Sequence, residues 1–358
     1  TNAVTLVQNG SDKIGGSTVN AILSTEGLAV TLIYIDSTQG WLVTDDGLQS
    51  VANTNPYMVA TGGTETTSGN CKIHTFTGPG TFCVSKAALA AADNLVSYMV
   101  VGGGGGAGTG SNVNTQSSGG GGGAGGFREL ISPSSPYSGS PLNGYPNAPN
   151  RITVTATSFP IAVGSGGAGG IQCGPFSAGF TGTIGAVSTF SSITGAGGGA
   201  GGSGGSADAG QGASGGGGGA QDCGATGNTP PVSPAQGTNG SAGASDAGGA
   251  GGGATVASSN ATNENGADGG AGATTSINAT PTAYAGGGGG AGETTKGCGG
   301  AGGGGAGFTN GSNGSGSGVA GTANTGGGGG GAHSNSNPTP TSGGNGGSGV
   351  IIIRYRYQ

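Results

Sequence analysis

Glycine tracts constrain this chain more than any other feature. Glycine runs interrupted mostly by alanine occupy 102–108, 119–126, 164–170, 195–205, 215–219, 248–253, 266–272, 286–292, 299–307, 326–331 and 343–349. Such a tract has little apolar side chain to bury, and fixing each residue costs about 1–2 kcal/mol. A flexible coil is therefore the default expectation. Three features oppose it here. The tracts have similar lengths. Their interruptions are alanine rather than Glu, Lys or Pro. Apolar strand-like segments bracket the region, YMVV at 98–101 and VIIIRYRY at 350–357. The expectation is order.

An α-helix is disfavoured by about 1 kcal/mol per glycine. Collagen needs glycine at every third position and abundant proline, and neither holds. The remaining candidate is polyglycine II, an extended threefold rod rising about 3.1 Å per residue, so that seven residues span roughly 22 Å. It forms no internal hydrogen bonds, so its N–H and C=O groups must pair with neighbouring rods. Glycine is then a packing requirement, because a Cβ between two rods would hold them apart. The expected fold class is mostly β and irregular, with N-terminal β modules, a polyglycine II bundle and a closing C-terminal strand.

Four segments follow. Residues 1–56 read as a β module; the chain opens inside a strand-like pattern (Ala3, Val4, Leu6, Val7), so further chain is expected upstream. In this module AVTLIYI at 29–35 is apolar on both faces and is expected to be buried on both. Residues 57–101 read as a hairpin and neck, with KIHTFT at 72–77 and TFCV at 81–84 around Gly78-Pro79-Gly80. AALAAADN at 87–94 could make two turns of helix. Residues 102–349 form the bundle, with a β insertion at 127–163 that includes FREL, RITVTA and FPIAV, and 350–358 is the closing strand.

The tracts can be threaded. Strand 95–101 enters at one end of the bundle, the base, and each loop reverses the chain. With an irregular descending rod at 174–185, twelve passes return 350–357 to the base, antiparallel to 95–101. This path sends loops 109–118, 171–173, 206–214, 254–265, 293–298 and 332–342 to the opposite end, the tip. It leaves 220–247, 273–285 and 308–325 at the base, and 220–247 is long enough to hide another pair of passes.

Composition excludes several functions. Only 8 Lys+Arg stand against 14 Asp+Glu, a net charge of −6. No basic patch can neutralise a phosphate backbone or an anionic membrane, so no nucleic-acid partner is expected. No apolar run approaches the ~20 residues of a spanning helix, so no membrane insertion is expected. The five cysteines, Cys71, Cys83, Cys173, Cys223 and Cys298, show no CxxC spacing; no metal or other cofactor is expected, and a Cys71–Cys83 bridge stays open. Glu129, Asp208, Asp222, Asp246, Glu264, Asp268 and Glu293 form no motif, and His74 and His333 are poor material for a triad. The chain is not expected to be an enzyme.

The phrases KIHTFTGPGTF, VSYMVVGGGGGAG, GGGGGAGGFRE, VGSGGAGG and GGSGVIIIRY resemble the glycine-rich domain of phage tail proteins, over roughly 60–357. NGSDKIGGST and VTLIYIDSTQGWLVTDDG, within 5–46, resemble a β module that recurs along phage tail fibres. The tracts are similar in architecture to the polyglycine sandwich of T-even-like tail-fibre adhesins. The resemblance implies a virion fibre, extracellular, whose tip loops touch a host receptor, an outer-membrane protein or glycan; it aligns no individual binding residue. A structural virion fibre or a capsid-attached fibre spacer, without receptor binding, is the alternative. Fibre chains associate, and with little apolar core in one copy a homotrimer held mainly by residues 1–60 is expected. Candidate contacts are the amide-rich tip residues Asn112, Asn114, Gln116, Asn260, Asn263, Glu264, Asn265, His333, Asn335 and Asn337. Amides carry both a donor and an acceptor, which suits sugar hydroxyls or polar loop edges.

Overall fold

A computed structural model describes residues 3–25, 27–45, 56–111, 118–172, 179–205, 208–309, 314–334 and 340–358. The chain divides into two compact units, Thr1–Pro56 and Tyr57–Gln358. Among the described residues the architecture is almost wholly strand and irregular backbone, with only two short 3-10 turns.

The first unit holds two antiparallel pairs. Strand β1 (Val4–Leu6) pairs with β2 (Ala21–Leu23), and β3 (Thr31–Asp36) with β4 (Gly40–Asp45). Asp36 Oδ1 closes the β3–β4 turn by accepting the Thr38 and Gln39 amides, both at 2.7 Å. The turn residue Gly40 has φ +70°, and a Cβ there would run into the Lys13 carbonyl. The expectation that 29–35 is buried on both faces fails. Ile33, Tyr34 and Ile35 are about half exposed, because the described residues of this small unit cover the hairpin only in part, leaving Leu32 half-buried near Leu6.

The second unit begins with β5 (Val59–Thr61), β6 (Thr64–Ser68), β7 (Cys71–Phe76), β8 (Gly80–Lys86) and β9 (Ser97–Val101). It continues with β10 (Phe127–Leu130), β11 (Ser158–Ala162), β12 (Ile171–Gln172), β13 (Ser188–Phe190) and β14 (Ile193–Gly195). The last strands are β15 (Ala273–Thr275), β16 (Thr282–Tyr284), β17 (Thr341–Ser342) and β18 (Val350–Arg356). Two five-stranded sheets, ordered β10-β9-β18-β7-β6 and β14-β13-β11-β8-β5, share one apolar core. Phe76, Phe82, Tyr98, Val100, Phe190, Ile351, Ile353 and Tyr355 belong to that core. Met99, Val101, Phe127 and Ile352, alternating with core residues along their strands, pack instead with Ile277 and Tyr284. The first sheet is therefore covered on both faces.

The closing strand behaves as expected: β18 is antiparallel to β9, with Val350 opposite Val101 and Ile352 opposite Met99. Three local expectations need correction. Strands β7 and β8 are not a hairpin. They lie in different sheets, joined by a corner at Gly78-Pro79, because Phe76 and Phe82 both turn into the shared core. Of the helix expected at 87–94, only a 3-10 turn at Ala91–Asn94 forms; the Asn94 side chain ties back to the Ala88 backbone instead. RITVTA makes only an isolated bridge at Thr153, and Cys71 and Cys83 are free thiols.

The glycine region is a bundle of rods. Along 103–109 successive amides donate to Ala186, Gly347, Gly123, Thr183, Gly344, Gly120 and Phe180 carbonyls, at 2.9–3.0 Å. The acceptor repeats every third residue among three neighbours, which is the signature of a threefold rod. The carbonyls of Gly103, Gly104 and Gly105 in turn accept from Gly198, Gly167 and Gly329, on three further rods. This tract is thus surrounded by six rods.

Among the described residues the partners define nine ascending passes: 102–108, 164–170, 196–204, 214–219, 238–244, 256–262, 286–292, 304–309 and 326–332. Nine descend: 119–126, 180–186, 208–213, 222–228, 247–253, 266–272, 295–301, 316–322 and 343–349. The even number puts β18 at the base as expected, but the count of twelve was too low. Segment 220–247 hides a pair, 222–228 and 238–244, and additional passes lie in 206–214, 254–265, 299–307 and 308–325. Consequently 215–219 ascends and 248–253 descends, the reverse of the expected directions. Residues 254–256 turn at the base, and the chain after Thr309 returns from the tip. These passes were overlooked because an outer rod needs glycine only where it faces inward, so its sequence resembles a polar loop.

The sheets template the bundle. Strands β9, β10 and β18 are continuous with rods 102–108, 119–126 and 343–349, the last two both bonded to the first, and β11, β13 and β14 are continuous with 164–170, 180–186 and 196–204.

Candidate functional site

The tip lies opposite the sandwich and consists of turns between rods. Its best-tied part joins the turn after 256–262 to the turn after 286–292. Asn263 takes the left-handed conformation, φ +46°, which asparagine tolerates better than most side chains. The Thr294 hydroxyl donates to Glu264 Oε2 at 2.7 Å, and the Thr295 hydroxyl to Asn265 Oδ1 at 2.7 Å. The Thr294 amide donates to the Glu264 carbonyl, and the Gly266 amide to that of Thr295. Two turns are thereby locked together while Asn260, Asn263 and Glu264 remain exposed and Asn265 is half-buried. Asn260 Oδ1 also accepts the Ala242 amide at 3.1 Å, fixing its side chain over the neighbouring rod.

A second cluster holds the tip from within. The Ser118 hydroxyl donates to the Asp246 carbonyl at 2.6 Å, so at 3.0 Å it must accept from His333 Nδ1–H. The His333 backbone exchanges bonds with Gly316. Burial pushes the His333 imidazole down to about 4. Gln172 Oε1 accepts from Ser334 and Thr341 beside the β12–β17 pair.

The candidate contacts therefore separate. Asn260, Asn263, Glu264 and Asn265 are brought together at one surface. His333, expected to contact a host, is only 1% exposed; its ring instead fastens the turns, because the flanking rods close over it. Asn112, Asn114, Gln116, Asn335 and Asn337 lie outside the described residues, as does Cys173.

Several tip features escaped sequence reasoning. Asp246 is raised by burial and then by Glu264, and Asp222 by burial and then by Asp208. These carboxylate pairs meet only through rod packing, so no spacing in the sequence announces them. Ile171 and Phe180 are exposed apolar residues flanking the tip. The period-three pattern of 180–187, in which only Gly182 and Gly185 are buried, could have revealed that Phe180 faces outward.

No group of three His, Cys, Asp or Glu among the described residues could hold a metal ion. Among them, no helix is long and apolar enough to cross a membrane. A comparison with curated proteins returns no match. The model of the glycine-rich domain matches residues 75–356, from within β7 to the last residue of β18. That span takes in the sandwich strands that frame the rods as well as the rods themselves, and the chain belongs to the glycine-rich domain family.

Proposed function

We propose that this chain is the distal part of a phage tail fibre, a non-enzymatic adhesin that presents its tip turns to a host cell-surface receptor. The observation that carries the reading is the locked pair of turns at 262–265 and 293–295. The side chains of Thr262, Asn263, Glu264, Thr294 and Thr295 are exposed, and the two backbones are tied to each other and to the rods. Loops fixed in advance lose less entropy on binding. The outward amides and carboxylate suit glycan hydroxyls or the polar rim of an outer-membrane protein. Among the described residues of the tip, Lys296 is the one exposed cation, and it stands beside the carboxylates of Asp246, Glu264 and Glu293, in keeping with a partner other than nucleic acid. The exposed apolar residues of the first unit, Val4, Val7, Ile22, Ile33 and Val43, fit association with other fibre chains in a homotrimer.

The test is exchange of turns in the whole chain carried on virions. Replacing 262–265 and 293–295 by Gly-Ser turns should abolish host adsorption. Replacing 279–281, in the β15–β16 turn at the base, should leave it intact. Adsorption that survives the tip exchange would refute display by these turns, and adsorption that also survives the base exchange would favour a structural spacer.

A further inference from the structure

Beyond the tip, the sheet end farthest from the rods holds a cleft of about 590 Å³. It is lined by the β6–β7 turn at Ser68 and Asn70, by Pro133 and Pro136 after β10, and by Arg354 and Arg356 of β18. Arg354 is 7% exposed, and its Nε–H has no hydrogen-bond partner. Its guanidinium sits 5.4 Å from the Tyr137 ring centroid, and Nη1 donates to the Ile277 carbonyl at 3.4 Å. Arg356, half-buried, donates to the Tyr57 hydroxyl at 3.1 Å and the Gln358 carbonyl at 3.2 Å. Among the described residues neither arginine has an ion-pair partner. The carboxylate beyond Tyr137, Glu129, is occupied by Ser140, Tyr137 and Thr275.

A buried cation with no direct ion pair and an idle donor is costly, and a π face and the more distant charge of Glu129 offset only part of the cost. The arrangement is the more telling because two of only 8 Lys+Arg in a chain of net charge −6 meet here. We propose that the cleft binds an oxyanion, a carboxylate or a phosphate group, with Arg354 as its buried partner and Arg356 at its rim. The guanidinium presents parallel N–H donors that match either group.

The test follows the Arg354 Nε–H resonance of the whole chain by NMR. Inorganic phosphate and acetate are titrated in separate arms against sodium chloride of equal ionic strength, with Arg354→Lys used for assignment. A saturable shift in either arm is expected, weakened roughly tenfold in Arg356→Gln. Saturation by acetate alone marks a carboxylate ligand, and by phosphate alone a phosphate group. A shift that merely tracks ionic strength, or that Arg356→Gln leaves unchanged, would overturn the proposal. Arg356→Gln keeps the buried arginine, so this arm stands even where Arg354→Lys fails to fold.

Discussion

At the scale of single residues, glycine matters here for the Cβ it lacks. A Cβ on Gly122 would be driven into the Gly105 carbonyl, whereas one on Gly78 meets nothing within 4 Å, and neither residue has positive φ. Gly122→Ala should therefore lower stability by at least about 1–3 kcal/mol, as overpacking does. Gly78→Ala should stay within about 0.5 kcal/mol of the parent. Denaturant midpoints measure both, and equal losses would contradict the packing account. His333 makes a second residue-scale prediction. Its folded pKa is depressed from 6.5 to about 4, so the neutral ring's contribution is complete above about pH 6.5 and is lost as pH falls towards 4. The loss should be on the order of 3 kcal/mol. His74 is lowered too, chiefly by burial, and acts in the same direction. Melting temperatures of the parent and of His333→Asn across pH 4–7 test this: the variant should show the shallower pH dependence.

At the scale of elements, the rods explain what the sequence revealed and what it concealed. The tracts 102–108, 119–126, 286–292 and 326–331 could be read at once, because a rod bonded to others all round admits nothing larger than the methyl of Ala107, Ala124 or Ala291. Outer rods have one inward face, so glycine is needed at only one position in three. Gly182 and Gly185, Gly224 and Gly227, Gly240 and Gly243, and Gly318 and Gly321 keep that spacing, each with a neighbouring carbonyl where a Cβ would stand. The pass at 256–262, VASSNAT, has no glycine at all and can be recognised only from its bonded partners. Closure by β18 was legible because VIII must be buried on both faces, but the β7–β8 corner was not, since a hairpin and a sheet-to-sheet corner share one local pattern. Gly185→Ala should destabilise by about 1–3 kcal/mol, while Ile184→Ala, at a residue 64% exposed one position away, should be close to neutral. Chemical denaturation of the two variants would contradict the threefold reading if their order were reversed.

At the scale of the whole molecule, the sandwich supplies the conventional apolar core and the rods extend it as a hydrogen-bonded solid. Of the ten candidate contacts, Asn260, Asn263, Glu264 and Asn265 meet at the tip, as their loop assignment implied. The burial of His333 and the pairing of Asp246 with Glu264 were not legible, because both depend on which rods are neighbours. The exposed apolar residues of the first unit carry the proposed homotrimer. Light scattering of the whole chain should give a trimer, and Ile33→Asp should shift it towards monomer; a monomeric parent at micromolar concentration would sink that proposal. The central claim, that glycine tracts form the ordered interior, is tested most directly by native-state amide hydrogen exchange. Amides of 102–108, 119–126, 286–292 and 328–332 donate to neighbouring rods, so they should exchange only through global or large subglobal opening, as slowly as β9 and β18. Exchange of these tracts at random-coil rates while β9 and β18 stay protected would contradict the account.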